Sequence, residues 1–306
     1  KRSQLSTADE RRKWETASYY SKRILFCSLT WKVCERTKFV TMFKFKHIIQ
    51  PFMRWIDSHS HHYLTSLSIL DELHQGGLSG VVEASWIPVR PTSSSTLIDL
   101  YTWVVNREKE RLSKISLKVI PAIGIHPRCI PTAELEQSLA NVETWLQMDD
   151  VKALGEVGLE NGDDTEIYVL ERQLRLAMLA DKPVIIHTPK VDKKIVLKKI
   201  LNAIESVSFP LEMVAIDHLN SDVYDMVHGL KTYFGLSVQP GKLSVNEAFE
   251  LVQKLDFERV LINSDSSTEP SQPGWPALLL NKLERSGLKD IPRKIAIENP
   301  QKFYRI

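Results

Sequence analysis

Two short runs limit what this chain can fold into more than anything else in it: Pro183 to His187 and Met213 to His218. Each is apolar, rich in β-branched residues and too short for a buried helix. Each therefore reads as a strand buried on both faces, and each ends in a histidine. The two histidines stand 31 residues apart, room for a strand, a crossover helix and the return. Parallel strands need such a crossover, and a succession of them makes a sheet covered by helices.

The alternation extends over residues 53–306. Further strands are expected at Arg54–Asp57, Gly80–Ala84, Lys118–Ile125, Val151–Gly158, Lys231–Val238 and Arg259–Asp265, eight in all. A helix is expected over Leu64–His74, where leucines recur in three-residue steps before Gly76 and Gly77. Others are expected near Leu97–Lys114, Thr132–Gln147, Thr165–Ala180, Val245–Lys254, Pro276–Ser286 and Pro292–Glu298. Eight strands alternating with helices in 254 residues have the size and pattern of a (β/α)8 TIM barrel. An open doubly wound sheet would want a glycine-rich phosphate loop after its first strand. That position holds His59, Ser60 and His61 instead, and no such loop occurs elsewhere.

Residues 1–52 read differently. The first fifty carry twelve lysines and arginines against four acids, a net of +8, which leaves −6 for the rest of a chain whose net is +2. With no sustained period, this stretch reads as a basic, poorly ordered and dispensable leader, separate from a barrel-sized body over 53–306. A mildly acidic body does not favour nucleic acid as a partner. Of three cysteines, Cys27, Cys34 and Cys129, two fall in the leader, so no disulfide framework is expected. No apolar run is long enough to span a bilayer. The expected location is cytoplasmic, with organellar import through the leader as the alternative.

In a (β/α)8 barrel the chemistry sits at the C-terminal strand ends. Those ends carry His59 and His61 on the first strand, where alternation points both the same way, and Glu156 on the fourth. They carry His187 on the fifth, His218 on the sixth and Asp265 on the eighth. Four of nine histidines, a glutamate and an aspartate thus gather at one face. Imidazole and carboxylate donors suit zinc, manganese or a similar divalent ion.

With these residues in place, the chain resembles the TatD-like branch of the amidohydrolase superfamily. The resemblance rests on Asp57 to His61, Gly124 to Pro127, Gly155 to Leu159, Ile186 to Thr188, Ile216 to His218, and Ser264 with Asp265, in the family's order. The ending Glu298-Asn299-Pro300 with Phe303 matches as well. It implies a binuclear site of two divalent ions (Zn2+, Mn2+ or Mg2+) bridged by Glu156, one held by His59, His61 and Asp265, the other by His187 and His218. Glu156 and Asp265 are then the catalytic carboxylates, Asp265 orienting or deprotonating a water activated by the ions. The eighth strand departs from the Thr-Asp-x-Pro of the family's nucleases, reading Asn263-Ser264-Asp265-Ser266-Ser267, and Arg128 follows Pro127 where a second histidine is usual. These departures point to a TatD-related subgroup rather than a typical DNase.

Other residues are expected to support the ions or touch substrate. Asp57 is placed as an acceptor behind the His59–His61 pair. His126, Arg128 and Glu83 are expected at the pocket, and Lys190, Lys193 and Lys194 near its mouth, where they would attract an anion. The leading function is hydrolysis of a phosphoester, ester or lactone. The alternatives are a metal-dependent 3'-5' DNase and a non-catalytic barrel that binds metal or a partner.

Overall fold

The computed structural model describes residues 53–268, 271–288 and 290–306. The leader assigned to 1–52, with Cys27 and Cys34, lies outside them. Eight strands form one parallel sheet in sequence order. They are β1 (Trp55–Ser60), β2 (Leu78–Ala84), β3 (Lys118–Ile123), β4 (Ala153–Gly158), β5 (Val184–His187), β6 (Val214–Ile216), β7 (Tyr233–Ser237) and β8 (Val260–Asn263). The last strand returns to the first. Asp265 N–H donates to His59 C=O at 3.0 Å and His61 N–H to Ser266 C=O at 2.9 Å, so a (β/α)8 barrel is nearly closed just past β8.

The helices are α1 (Leu67–Gln75), α2 (Ser94–Thr102), α3 (Glu108–Ser113), α4 (Leu135–Leu146), α5 (Asp164–Leu179) and α6 (Lys193–Ser206). The rest are α7 (Tyr224–Val227), α8 (Val245–Val252), α9 (Trp275–Arg285), α10 (Asp290–Arg293) and α11 (Asn299–Tyr304). Two expected helices are interrupted. The one near Leu97–Lys114 passes through a π-turn at Trp103–Arg107, and the one near Pro292–Glu298 ends in a π-turn at Lys294–Glu298 before α11. Hydrophobic period does not register such a turn, because the faces drift by only one residue. Leu64 lies in a 3-10 turn, so α1 starts later than its leucine pattern suggests.

Period-two alternation decides what faces the barrel interior. Ala84, Ala122, Ala153, Ile185, Ala215, Tyr233 and Leu261 pack there together with Phe303 and Tyr304 of α11. Tyr304 O–H donates to Ser58 C=O at 2.7 Å, and Asn299 Nδ2 donates to Phe257 and Val260 C=O, both at 2.8 Å, fixing α11 to the start of β8. On two strands the same face turns polar two residues further on: Ala215 leads to Asp217, and Leu261 to Asn263.

Two strands break the alternation. Between Asp57 and Ser60, β1 spends three steps while β2 spends two, from Val81 to Glu83. Between Leu154 and Val157, β4 likewise spends three steps against two on β5. One extra residue in a strand is a bulge, and it turns the following side chains to the other face. Ile56 and His59, and Ala153 and Glu156, therefore share the interior although each pair is three apart.

Candidate metal centre

Glu156 stands at the middle of the site, almost wholly buried. Its two carboxylate oxygens face different partners. Oε1 lies 2.8 Å from His187 Nδ1 and 2.9 Å from His218 Nε2. Oε2 lies 3.4 Å from His59 Nε2, 3.5 Å from His61 Nε2 and 3.6 Å from His126 Nε2. Asp265 Oδ1 approaches the second group, at 3.4 Å from His61 Nε2 and 4.0 Å from His59 Nε2. Three sets of donors come within reach of a shared ion: His59 with His61 and Glu156; His59 with His218 and Asp265; His126 with Glu156 and His187.

Each imidazole is oriented from behind. His59 Nδ1 donates to Asp217 Oδ2, and His61 Nδ1 lies 2.8 Å from Ala84 C=O. His187 Nε2 is 3.0 Å from Glu160 Oε2, and His218 Nδ1 is 2.7 Å from Ser237 Oγ. A bond of this kind fixes the ring and its tautomer and leaves the other nitrogen available. Asp217 is itself held, accepting at Oδ1 from His218 N–H at 2.7 Å and from Asn263 Nδ2 at 2.9 Å. Gly235 makes room for it, since a Cβ there would lie 2.1 Å from Asp217 Oδ1. Gly158 does the same for His187, whose C=O would meet a Cβ at 2.4 Å. His218 and Asp265 both hold positive φ, +57° and +44°, a strained conformation for non-glycine residues that recurs at functional sites.

The electrostatics call for cations. Burial alone would raise the Glu156 carboxyl, but the rings of His59, His126 and His187 outweigh it and hold it well below the usual carboxylate range. Burial raises Asp265 as well, yet Lys242 and His218 hold it low. Burial opposes charge on His59, but Glu156 and Asp217 raise its pKa well above the ordinary value. His187 is raised in the same way, chiefly by Glu156 against burial. His126 goes the other way, lowered by burial, and His218 falls to about 4 through burial and the nearby Lys242 ammonium. Buried carboxylates that recruit protonated imidazoles are sites where a divalent ion can take the protons' place. His59 Nε2 and His126 Nε2 are buried without a hydrogen-bond partner, as a nitrogen reserved for a metal would be.

The six expected ligands are thus brought together. Several neighbours differ from expectation. Asp57 does not stand behind His59 or His61. The bulge that follows it turns His59 and His61 away from its face, and Asp57 meets His62 Nε2 at 2.9 Å and accepts from Ser264 N–H at 2.9 Å and Oγ at 2.6 Å. Glu83 does not line the cavity either. It is buried behind the wall, accepts from His62 N–H at 2.8 Å, and is pushed by burial up to about 7. His126 faces Glu156 and is not among the lining residues of the cavity. Lys194 is exposed on α6 and lies outside the cavity, because α6 turns that residue outward. Arg128, Lys190 and Lys193 do line it.

The cavity encloses about 700 Å3 over Glu156, His187, His218 and Asp265. Sequence reasoning missed several residues of the site and its cavity. Asp217 carried a signal, two residues beyond interior Ala215 on an alternating strand. Gln239 and Lys242 follow β7 and converge on Asp265 Oδ2, Gln239 Nε2 at 3.0 Å and Lys242 Nζ in an ion pair. Nothing local to their sequence marks them. Glu160 sits two residues past β4 and was not singled out.

A parallel barrel with a buried carboxylate shared between imidazole sets at its C-terminal face has the construction of a metal-dependent hydrolase. The chain belongs to the TatD family, since the family model described as TatD related DNase matches residues 56–287. An uncharacterised metal-dependent hydrolase of Methanocaldococcus jannaschii is 30% identical over 211 residues, 69% of this chain and 83% of that protein. The crystal structure of a TatD-like protein from Archaeoglobus fulgidus is 34% identical, with TM-score 0.71 over 82% of this chain and 100% of that one. The phosphotriesterase homology protein of Escherichia coli, at 14% identity and TM-score 0.57 over 83% of this chain and 99% of that one, shares the fold. Among the described residues no helix is long and apolar enough to cross a membrane.

Proposed function

We propose that the chain holds two divalent ions on either side of Glu156 and uses them to hydrolyse a phosphoester, ester or lactone. His59 Nε2, His61 Nε2, Asp265 Oδ1 and Glu156 Oε2 would hold one ion; His187 Nδ1, His218 Nε2 and Glu156 Oε1 would hold the other. The carrying observation is that the two oxygens of one buried carboxylate face separate imidazole sets. Nitrogen and oxygen donors suit Zn2+, Mn2+ or Mg2+. Bound there, such ions activate water at neutral pH and polarise the scissile carbonyl or phosphoryl oxygen.

The chain's own residues do the rest. Asp217, Ala84 C=O, Glu160 and Ser237 orient the rings. Asp265, held ionised by Lys242, faces the cavity and is ready to orient the attacking water and take its proton. Changing Asp265 to Asn is expected to lower kcat by about 10^2-fold or more while leaving the circular dichroism spectrum unchanged. Undiminished turnover would remove Asp265 from this role.

The family model's description as a DNase favours a second reading, which we take as a metal-dependent 3'-5' DNase. Comparing cleavage of DNA with that of bis(4-nitrophenyl) phosphate separates the two. Preference for the small diester supports the leading reading, and efficient shortening of DNA from its 3' end supports the second.

A further inference from the structure

Three lysines line the cavity, Lys190 in the loop after β5, Lys193 at the start of α6 and Lys242 in the loop after β7, and among the described residues only Lys242 of these is ion-paired with an acid. Lys242 Nζ pairs with Asp265 Oδ2 and lies 3.2 Å from His218 Nε2, beside the proposed ligands. Lys190 Nζ is the one heavy atom within 4 Å of where a Cβ on Gly241 would lie, at 3.8 Å, so its ammonium sits over the Gly241–Lys242 segment. Lys193 Nζ donates to Thr188 Oγ1 at 2.7 Å and His218 C=O at 2.9 Å, neutral acceptors that fix it between the ends of β5 and β6. Among the described residues, neither Lys190 nor Lys193 has a carboxylate within ion-pair distance. Asp265, the sole acid on Lys242, is itself committed to the site.

Ammonium groups gathered in a partly desolvated wall repel one another, and an anionic ligand relieves the repulsion. The wall has two fixed features. Lys242 is most of the way buried, and Gly241, with φ +78°, makes a left-handed turn directly before Lys242 and against the Lys190 ammonium. An ammonium is a compact charge with three donors and suits the oxygens of a phosphoryl group. A neutral ester or lactone offers it no charge to hold.

We propose that Lys242 and Lys190 form an anion subsite beside the reacting centre and select substrates carrying a phosphoryl group over neutral esters and lactones. This rests on the hydrolase reading above and narrows it to one substrate class. Lys193 acts by position, tying the end of β5, whose loop bears Lys190, to the end of β6.

The test uses the full chain, loaded with Zn2+ or Mn2+, and the variants Lys190→Met, Lys242→Met and, as a control, Lys198→Met on the exposed part of α6. Inorganic phosphate binding is measured by calorimetry, and KM is compared for 4-nitrophenyl phosphate and 4-nitrophenyl acetate. Losing one charge-assisted contact is expected to weaken phosphate about tenfold or more in each subsite variant and to raise the phosphate-to-acetate KM ratio similarly. Lys198→Met should match the wild type. Bound metal is counted in every variant. If Lys242→Met also sheds metal, Lys190→Met decides, since that residue touches no ligand of the site. Phosphate affinity held within about twofold by Lys190→Met and Lys242→Met overturns the subsite, because an ion alone would then be binding the phosphate. Lysine-dependent phosphate binding without hydrolysis of any probe would leave the subsite standing and sink the hydrolase reading instead.

Discussion

At the N-terminal end of the barrel, Phe303 and Tyr304 of α11 fill the interior against Ala153, Ala215, Tyr233 and Leu261. At the C-terminal end, two to four residues further along the chain, the interior is Glu156, Asp217, Asn263 and Asp265 with five imidazoles. One end is an apolar plug whose polar atoms are few and paired, as with Tyr304 O–H on Ser58 C=O. The other buries carboxylates and rings in contact, leaving His59 Nε2 and His126 Nε2 without partners. Burying polar groups this way costs free energy unless something binds them. The plug contributes stability and the polar end carries function, and two bulges on β1 and β4 mark the border.

If that division holds, changes at the two ends should have separable effects. The largest is expected for Glu156→Gln, which removes the carboxylate common to both donor sets. Metal content should fall below one ion per chain and hydrolysis by about 10^3-fold or more, with the fold retained. Metal analysis and circular dichroism on the same sample check this, and full metal content in the variant would deny Glu156 its bridging place.

Phe303→Ala is the counterpart at the plug. Truncating a buried aromatic should cost about 3–5 kcal/mol in urea unfolding while the folded variant keeps its metal. Loss of metal from the still-folded variant would mean the ends are not independent. Next in size, Asp217→Asn should weaken metal binding about 10–100-fold, because His59 loses the acceptor that sets its tautomer. A chelator competition titration measures this, and unchanged affinity would show that Asn263 and Ser237 suffice to hold the ring's surroundings.

The smallest effect concerns Glu83, buried at the border. Its folded pKa, about 7, lies above the ordinary 4.5, so the folded state holds this proton more tightly than the unfolded chain. The wild type therefore loses stability from this group as pH rises from about 4.5 towards 7, and the loss is complete above 7. Glu83→Gln has no such loss. Its stability relative to wild type should increase between pH 5 and pH 8, read by urea unfolding at both. A flat difference would mean that Glu83 is ionised throughout.

Most of the barrel was legible because its strands are short, apolar and regularly spaced, and because a ligand-type residue closes five of them. His59 and His61 fall on one side by alternation alone, and Glu156, His187, His218 and Asp265 follow from strand ends. What was not legible is non-local or breaks the period. Asp57 stands next to the histidine pair in sequence, yet the bulge after it turns the pair away from its face and it meets Ser264, and the acceptor for His59 is Asp217, 158 residues away. Lys242 reaches Asp265 only because β7 and β8 are neighbours. Glu83 was expected at the cavity because it lies near the end of β2, but its carboxylate turns to the His62 N–H just past β1.

The central claim is that Glu156 is shared by two bound ions. Elemental analysis of the full chain after expression with Zn2+ or Mn2+ tests it most directly, paired with hydrolysis before and after chelation. Two ions per chain are expected, with activity lost on chelation and regained on adding metal back. Fewer than one ion per chain after metal-replete expression, or hydrolysis indifferent to chelation, would contradict it.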